Sequence, residues 1–118
     1  MPIAAVTRTY TQDSIPRQRA SSTGAATSAV LRNAPGFVNS FYVTNNTATA
    51  GFLQFFDATA LPANGTVPLV VIPLPASETI GSDIPIFGLL GMVAAISTTQ
   101  ATLTISANSA FFYANTSG

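Results

Sequence analysis

The chain has 118 residues, 47% of them apolar and only 7% charged, with no cysteine, histidine or lysine. That length makes one domain with a core of its own. The missing residue types exclude disulfide frameworks, thiolate zinc sites, Schiff bases and every triad built on histidine or cysteine.

An average soluble domain carries about 25% charged residues. Disordered chains combine low hydrophobicity with high charge, so disorder is the wrong reading here. A surface this poor in charge is expected to be covered by partners. All four cations are arginines, and Arg8, Arg17, Arg19 and Arg32 outweigh Asp13 to give residues 1–32 a net +3. Asp57, Glu78 and Asp83 leave residues 33–118 at −3. Three net charges are too few to favour nucleic acid as a partner, and docking on an acidic protein neighbour fits better.

In chain order, residues 1–27 show no sustained periodicity and are broken by Pro2 and Pro16. They read as an extended N-terminal arm, ordered only where a partner holds it, the alternative being a free terminus. Arg8, Tyr10, Arg17 and Arg19 are its candidate partner-binding residues, and Ile3, Val6, Tyr10 and Ile15 its spaced apolar ones. Residues 28–118 read as the folded domain. Ser28 to Asn33 is a short strand, closed by Ala34-Pro35-Gly36.

The stretch Phe37 to Asp57 reads as two aromatic strands around the polar turn Asn45 to Thr49, a hairpin-like unit supplying much of the core. Val67 to Pro73 is the most hydrophobic strand, and its continuous apolarity predicts cover on both faces. Ala76 to Ile80 and the run from Ile84 to Ser97 follow as strands, a helix over Leu89 to Ile96 being the alternative in the latter. Ala101 to Ser106 alternates as a half-buried strand does, and Ala110 to Ala114 closes the domain. About seven short strands at regular spacing define an all-β, antiparallel β-sandwich, immunoglobulin-like or jelly-roll.

No catalytic constellation emerges. Asp57, Glu78 and Asp83 could in principle pair for glycoside hydrolysis or join a calcium site, but each stands at a predicted strand end or turn, where acids are ordinarily solvated. No cofactor or metal is expected. The apolar run from Ile84 to Ile96 is too short to cross a bilayer, so no membrane is expected either. The adjacent pairs Phe55-Phe56 and Phe111-Phe112 carry a different implication. Successive strand residues face opposite ways, so one ring of each pair is expected to point outward and seek a second copy.

The segments Phe41-Tyr42-Val43-Thr44-Asn45, Gly51 to Asp57, Ala63 to Pro68 and Ala95 to Thr99 together resemble small virion proteins of tailed bacteriophages. The resemblance covers about residues 37 to 100 and does not reach the arm. It implies a non-enzymatic β-sandwich, present in copies on the particle and assembled in the host cytoplasm. The first expectation is a capsid decoration (cement) protein on the head, bound to the major capsid protein and to itself as a trimer. A tail or baseplate component is the second, and a carbohydrate-binding module, without support from any tryptophan, the third.

Overall fold

The computed structural model describes residues 17–22 and 24–118, which form nine strands and no helix. They are β1 (Arg17–Ser21), β2 (Ser28–Arg32), β3 (Gly36–Asn45), β4 (Gly51–Phe56), β5 (Val70–Leu74), β6 (Thr79–Ser82), β7 (Ile86–Gly88), β8 (Met92–Ser97) and β9 (Ala110–Ser117). One sheet runs β1-β9-β3-β6, with β7 also paired to β3; the other runs β2-β8-β4-β5. Every ladder is antiparallel.

The pairs are nested. β4 joins β5, β3 joins β6 and β7, β2 joins β8, and β1 joins β9. This is a hairpin of long arms folded over into two sheets, the jelly-roll arrangement. It decides between the two sandwich topologies left open by the sequence. It also corrects the hairpin-like unit. The strands at 37–44 and 51–57 exist, but β3 and β4 lie in opposite sheets and the chain between them is an arch. Phe41 on β3 and Phe55 on β4 meet across the core as a tilted ring pair, centroids 4.9 Å apart.

Strand pattern explains the core. Along β3 the inward residues are Val38, Phe41 and Val43, a spacing that breaks strict alternation. A bulge between Val38 and Ser40 absorbs the extra residue, Asn39, and resets the phase. On the facing sheet, Leu53 and Phe55 of β4 and Met92, Ala94 and Ile96 of β8 fill the space between the layers. β8 is buried along its whole length, because the other face of this sheet is covered as well.

That cover is the chain from 98 to 106. It folds back over the sheet and packs Leu103 on Phe56, Val93 and Ala95, forming a second small core. Leu103 exchanges backbone hydrogen bonds with the 63–66 turn: its N–H donates to Thr66 (2.9 Å) and its carbonyl accepts from Gly65 (2.7 Å). Residues 101–106 therefore form a flap instead of the expected strand, touching the sheet ladder only through a bridge between Ile105 and Ser97. The alternation was real, since Leu103 is buried and Thr104 exposed. Its hydrogen bonds, however, are divided: Ser106 and Thr104 N–H donate to Ile96 and Ser97 of β8, and Leu103 and Ile105 N–H to the 63–66 turn.

Two further expectations change. The hydrophobic run 67–73 does not lie under cover on both faces. β5 is an edge strand, which is where Pro73 can be tolerated without a donor, and Val67 and Leu69 are exposed. The sandwich also begins before residue 28. β1 pairs along β9 from Arg17↔Ser117 to Ser21↔Tyr113, inside the stretch assigned to the arm. Only Ala20 of β1 packs on the core, so the strand carries almost no apolar signal. Its polar character suits an exposed edge.

Candidate apolar docking site

The two ends of the sandwich differ in chemistry. One end gathers the loops 46–50, 75–78 and 106–109, tied together by polar side chains. Buried Asn45 donates from Nδ2 to the carbonyls of Thr49 (3.0 Å) and Pro75 (3.1 Å), and its Oδ1 accepts from Thr47 N–H (3.0 Å) and Oγ1 (2.7 Å). Asn108 Nδ2 donates to the same Thr49 carbonyl at 2.6 Å. These bonds satisfy the turn backbone and leave little apolar surface.

The opposite end is apolar. Phe37 at the start of β3 pairs with Phe87 of β7, ring centroids 5.0 Å apart. Phe87 and Pro85 then line two adjoining grooves. One, of about 560 Å³, runs beside Phe37, Pro35 and Ser117. The other, of about 530 Å³, opens between the edge strands of the two sheets, over Phe41, Ile72, Leu69 and Ile84. Ile84 is 73% exposed, and Leu89 and Leu90, directly after β7, are 69% and 61% exposed.

The outward stance of those two leucines has a specific cause. The Asp57 carboxylate, at the end of β4, accepts from the backbone N–H groups of Leu90 (2.7 Å), Leu89 (3.0 Å) and Gly91 (3.3 Å). Three donors on one carboxylate hold the turn in a single form. They also hold the Asp57 pKa below its ordinary value, the Leu90 and Leu89 bonds being the largest causes. Gly91 sits where a Cβ would come within 2.5 Å of the Arg32 carbonyl and 2.8 Å of the Ala58 carbonyl, so the turn lies flat against its neighbours. Asp57 is accounted for as the anchor of an apolar turn, and Glu78 and Asp83 are exposed. Among the described residues no three histidine, cysteine, aspartate or glutamate side chains cluster to hold a metal, and no helix is long and apolar enough to cross a membrane.

The sequence-predicted partner residues divide. Arg8 and Tyr10 lie outside the described residues. Arg17 and Arg19 stand on β1, opposite Ser117 and Asn115, and the Arg19 side chain is exposed. Phe111 is 45% exposed, on the outer face of its sheet, where Tyr42 and Tyr113 stack at 5.3 Å. The other three phenylalanines are corrections: Phe55, Phe56 and Phe112 are all buried within the chain. Phe56 does point away from the first core, as strand geometry requires, but the 98–106 flap covers it. Ile84, Phe87, Leu89, Leu90 and Leu69 are the residues that sequence reasoning missed. Their signal was proline inside apolar runs, Val67-Pro68-Leu69 and Ile84-Pro85-Ile86. Proline keeps such runs out of central ladders and so at an edge.

No family model, curated protein or solved structure matches this chain.

Proposed function

We propose that this chain is a non-enzymatic structural protein of a virus particle, one that associates with copies of itself and decorates the head of a tailed phage. The observation that carries this reading is the apolar end, where Phe37, Ile84, Phe87, Leu89 and Leu90 stand exposed together on a chain with few charges. Exposed apolar patches of this kind mark interaction surfaces. Jelly rolls serve viral capsid domains among others, and that is a fold-level analogy only. The virion assignment itself rests on the sequence resemblance over residues 37 to 100.

The mechanism is thermodynamic. A protein that binds the assembled shell, and not its separate subunits, stabilises the shell by mass action. Many copies, each held weakly through an apolar end, add to a large total. The partners are the major capsid protein and the chain itself, with a trimer as the expected assembly.

Light scattering on the full chain at several concentrations tests self-association. A multimer that dissociates on introduction of Ile84→Asp with Leu89→Asp, at unchanged secondary structure, is the expected result. A monomer at every concentration would refute the reading. Peptide counting on purified particles tests the location: hundreds of copies mean a head decoration, and a handful would move the protein to the tail.

A further inference from the structure

The apolar end is also where the N-terminal segment enters the fold. Arg17 opposes Ser117, Ser117 opposes Phe37, and Phe37 opposes Phe87. These residues stand side by side across four strands, so Arg17 and Phe87 are about 15 Å apart at the usual strand spacing. Residues 1–16 come before Arg17, and a segment of that length spans up to about 55 Å when extended. Ile3, Val6, Tyr10 and Ile15 give it apolar side chains at intervals, and Arg8 and Asp13 balance each other in charge. The groove between the edge strands is apolar, lined by Leu69, Ile72, Ile84 and Phe87.

We infer that the groove over Ile84, Phe87 and Leu69 is the seat of residues 1–16 from a neighbouring copy of this chain. Length, end point and apolar composition match the segment to the groove. One feature favours a neighbour over the same molecule: β1 lies at one edge of its sheet, while the groove opens beyond β6 and β7 at the other. Seated this way, each copy gives a segment and receives one, and the low-charge apolar end is covered in the assembly. This inference rests on the self-association proposed above and adds the element that mediates it.

The absence of cysteine makes the test direct. Full-length chains carrying Val6→Cys are mixed with full-length chains carrying Ile84→Cys, oxidised mildly, and analysed on non-reducing gels with peptide mapping. The expected result is a covalent dimer linked between positions 6 and 84, several-fold more abundant than the dimer formed with Ala107→Cys at the polar end. The pair Ile3→Cys and Leu69→Cys repeats the test at a second point, should either first variant fold poorly. Two results would overturn the inference. One is a link formed only inside single chains that carry both Val6→Cys and Ile84→Cys. The other is no link above the Ala107→Cys control. The native mass of the untreated chain separates the two levels. A multimer without the link removes only the segment's role, whereas a monomer removes the self-association reading as well.

Discussion

Phe56 and Phe111 test the difference between a core ring and a surface ring on the same kind of strand. Phe56 is 2% exposed beneath the 98–106 flap, in a small core with Val93, Ala95 and Leu103. Phe56→Ala removes that ring and leaves the flap without its main contact. Buried phenylalanine to alanine changes cost about 3–5 kcal/mol, and a flap that can settle into the space places this one near 3. Against a total of about 5–15 kcal/mol for an ordinary domain, that is a large share. Phe111 is 45% exposed, so Phe111→Ala in the isolated chain should cost less than about 1 kcal/mol, as surface changes do. Urea unfolding at several protein concentrations reads both. Phe56→Ala should lower the midpoint equally at every concentration and leave the native mass unchanged. If Phe56→Ala is as mild as Phe111→Ala, or changes the native mass, the ring faces a partner and the flap is not its cover.

Asp57 and Gln54 give predictions with pH and with charge. The Asp57 pKa is lowered in the folded chain, so its contribution to stability is present above its unfolded value and is lost as pH falls through the folded one. As pH falls below the ordinary aspartate range and through that lowered value, the turn at Leu89 to Gly91 should loosen, and Asp57→Ala should loosen it at neutral pH, read as faster amide hydrogen exchange at Leu89 and Leu90. Gln54 is fully buried under the same flap, and its Nε2 donates to the carbonyls of Thr99 (2.9 Å) and Gln100 (3.0 Å). Gln54→Glu would aim a carboxylate at those carbonyls with no cation nearby. A loss of about 3 kcal/mol or more is expected at pH 7 by chemical denaturation, partly recovered in acid as the group takes up a proton.

The strands of this fold were legible where apolar side chains alternate on a single covered face, as in β3 and β9. They were misread where one chain segment covers another. Four consecutive buried residues in β4 and six in β8 reflect a sheet with both faces dressed, one of them by a polar-looking loop whose large apolar anchors are Leu103 and, partly buried, Ile105. No local pattern announces that Thr98 to Ser106 will fold back. Pairing was equally hidden. A polar turn of five residues suits a hairpin and an arch alike, and only the distant partners of β3 and β4 decide between them. The apolar end escaped notice because continuous apolarity was taken as burial, although Pro68, Pro73 and Pro85 all spoke for edges. Exposure of Phe111 was legible from alternation alone.

The nested pairing sets an order of assembly in time. Each successive pair closes a longer loop, from β4 with β5 to β1 with β9, which joins Arg17 to Ser117 across nearly the whole chain. Closure entropy rises with loop length, so the fold zips from its middle outward and β1 is the last strand to arrive. It is equally the first to leave, because Ala20 alone ties it to the core. Amide hydrogens of Gln18 to Ser21 should therefore exchange well ahead of those in β8. A strand that detaches without disturbing the rest gives a finished subunit a removable latch, and it lies directly beside the segment that would reach for the next copy.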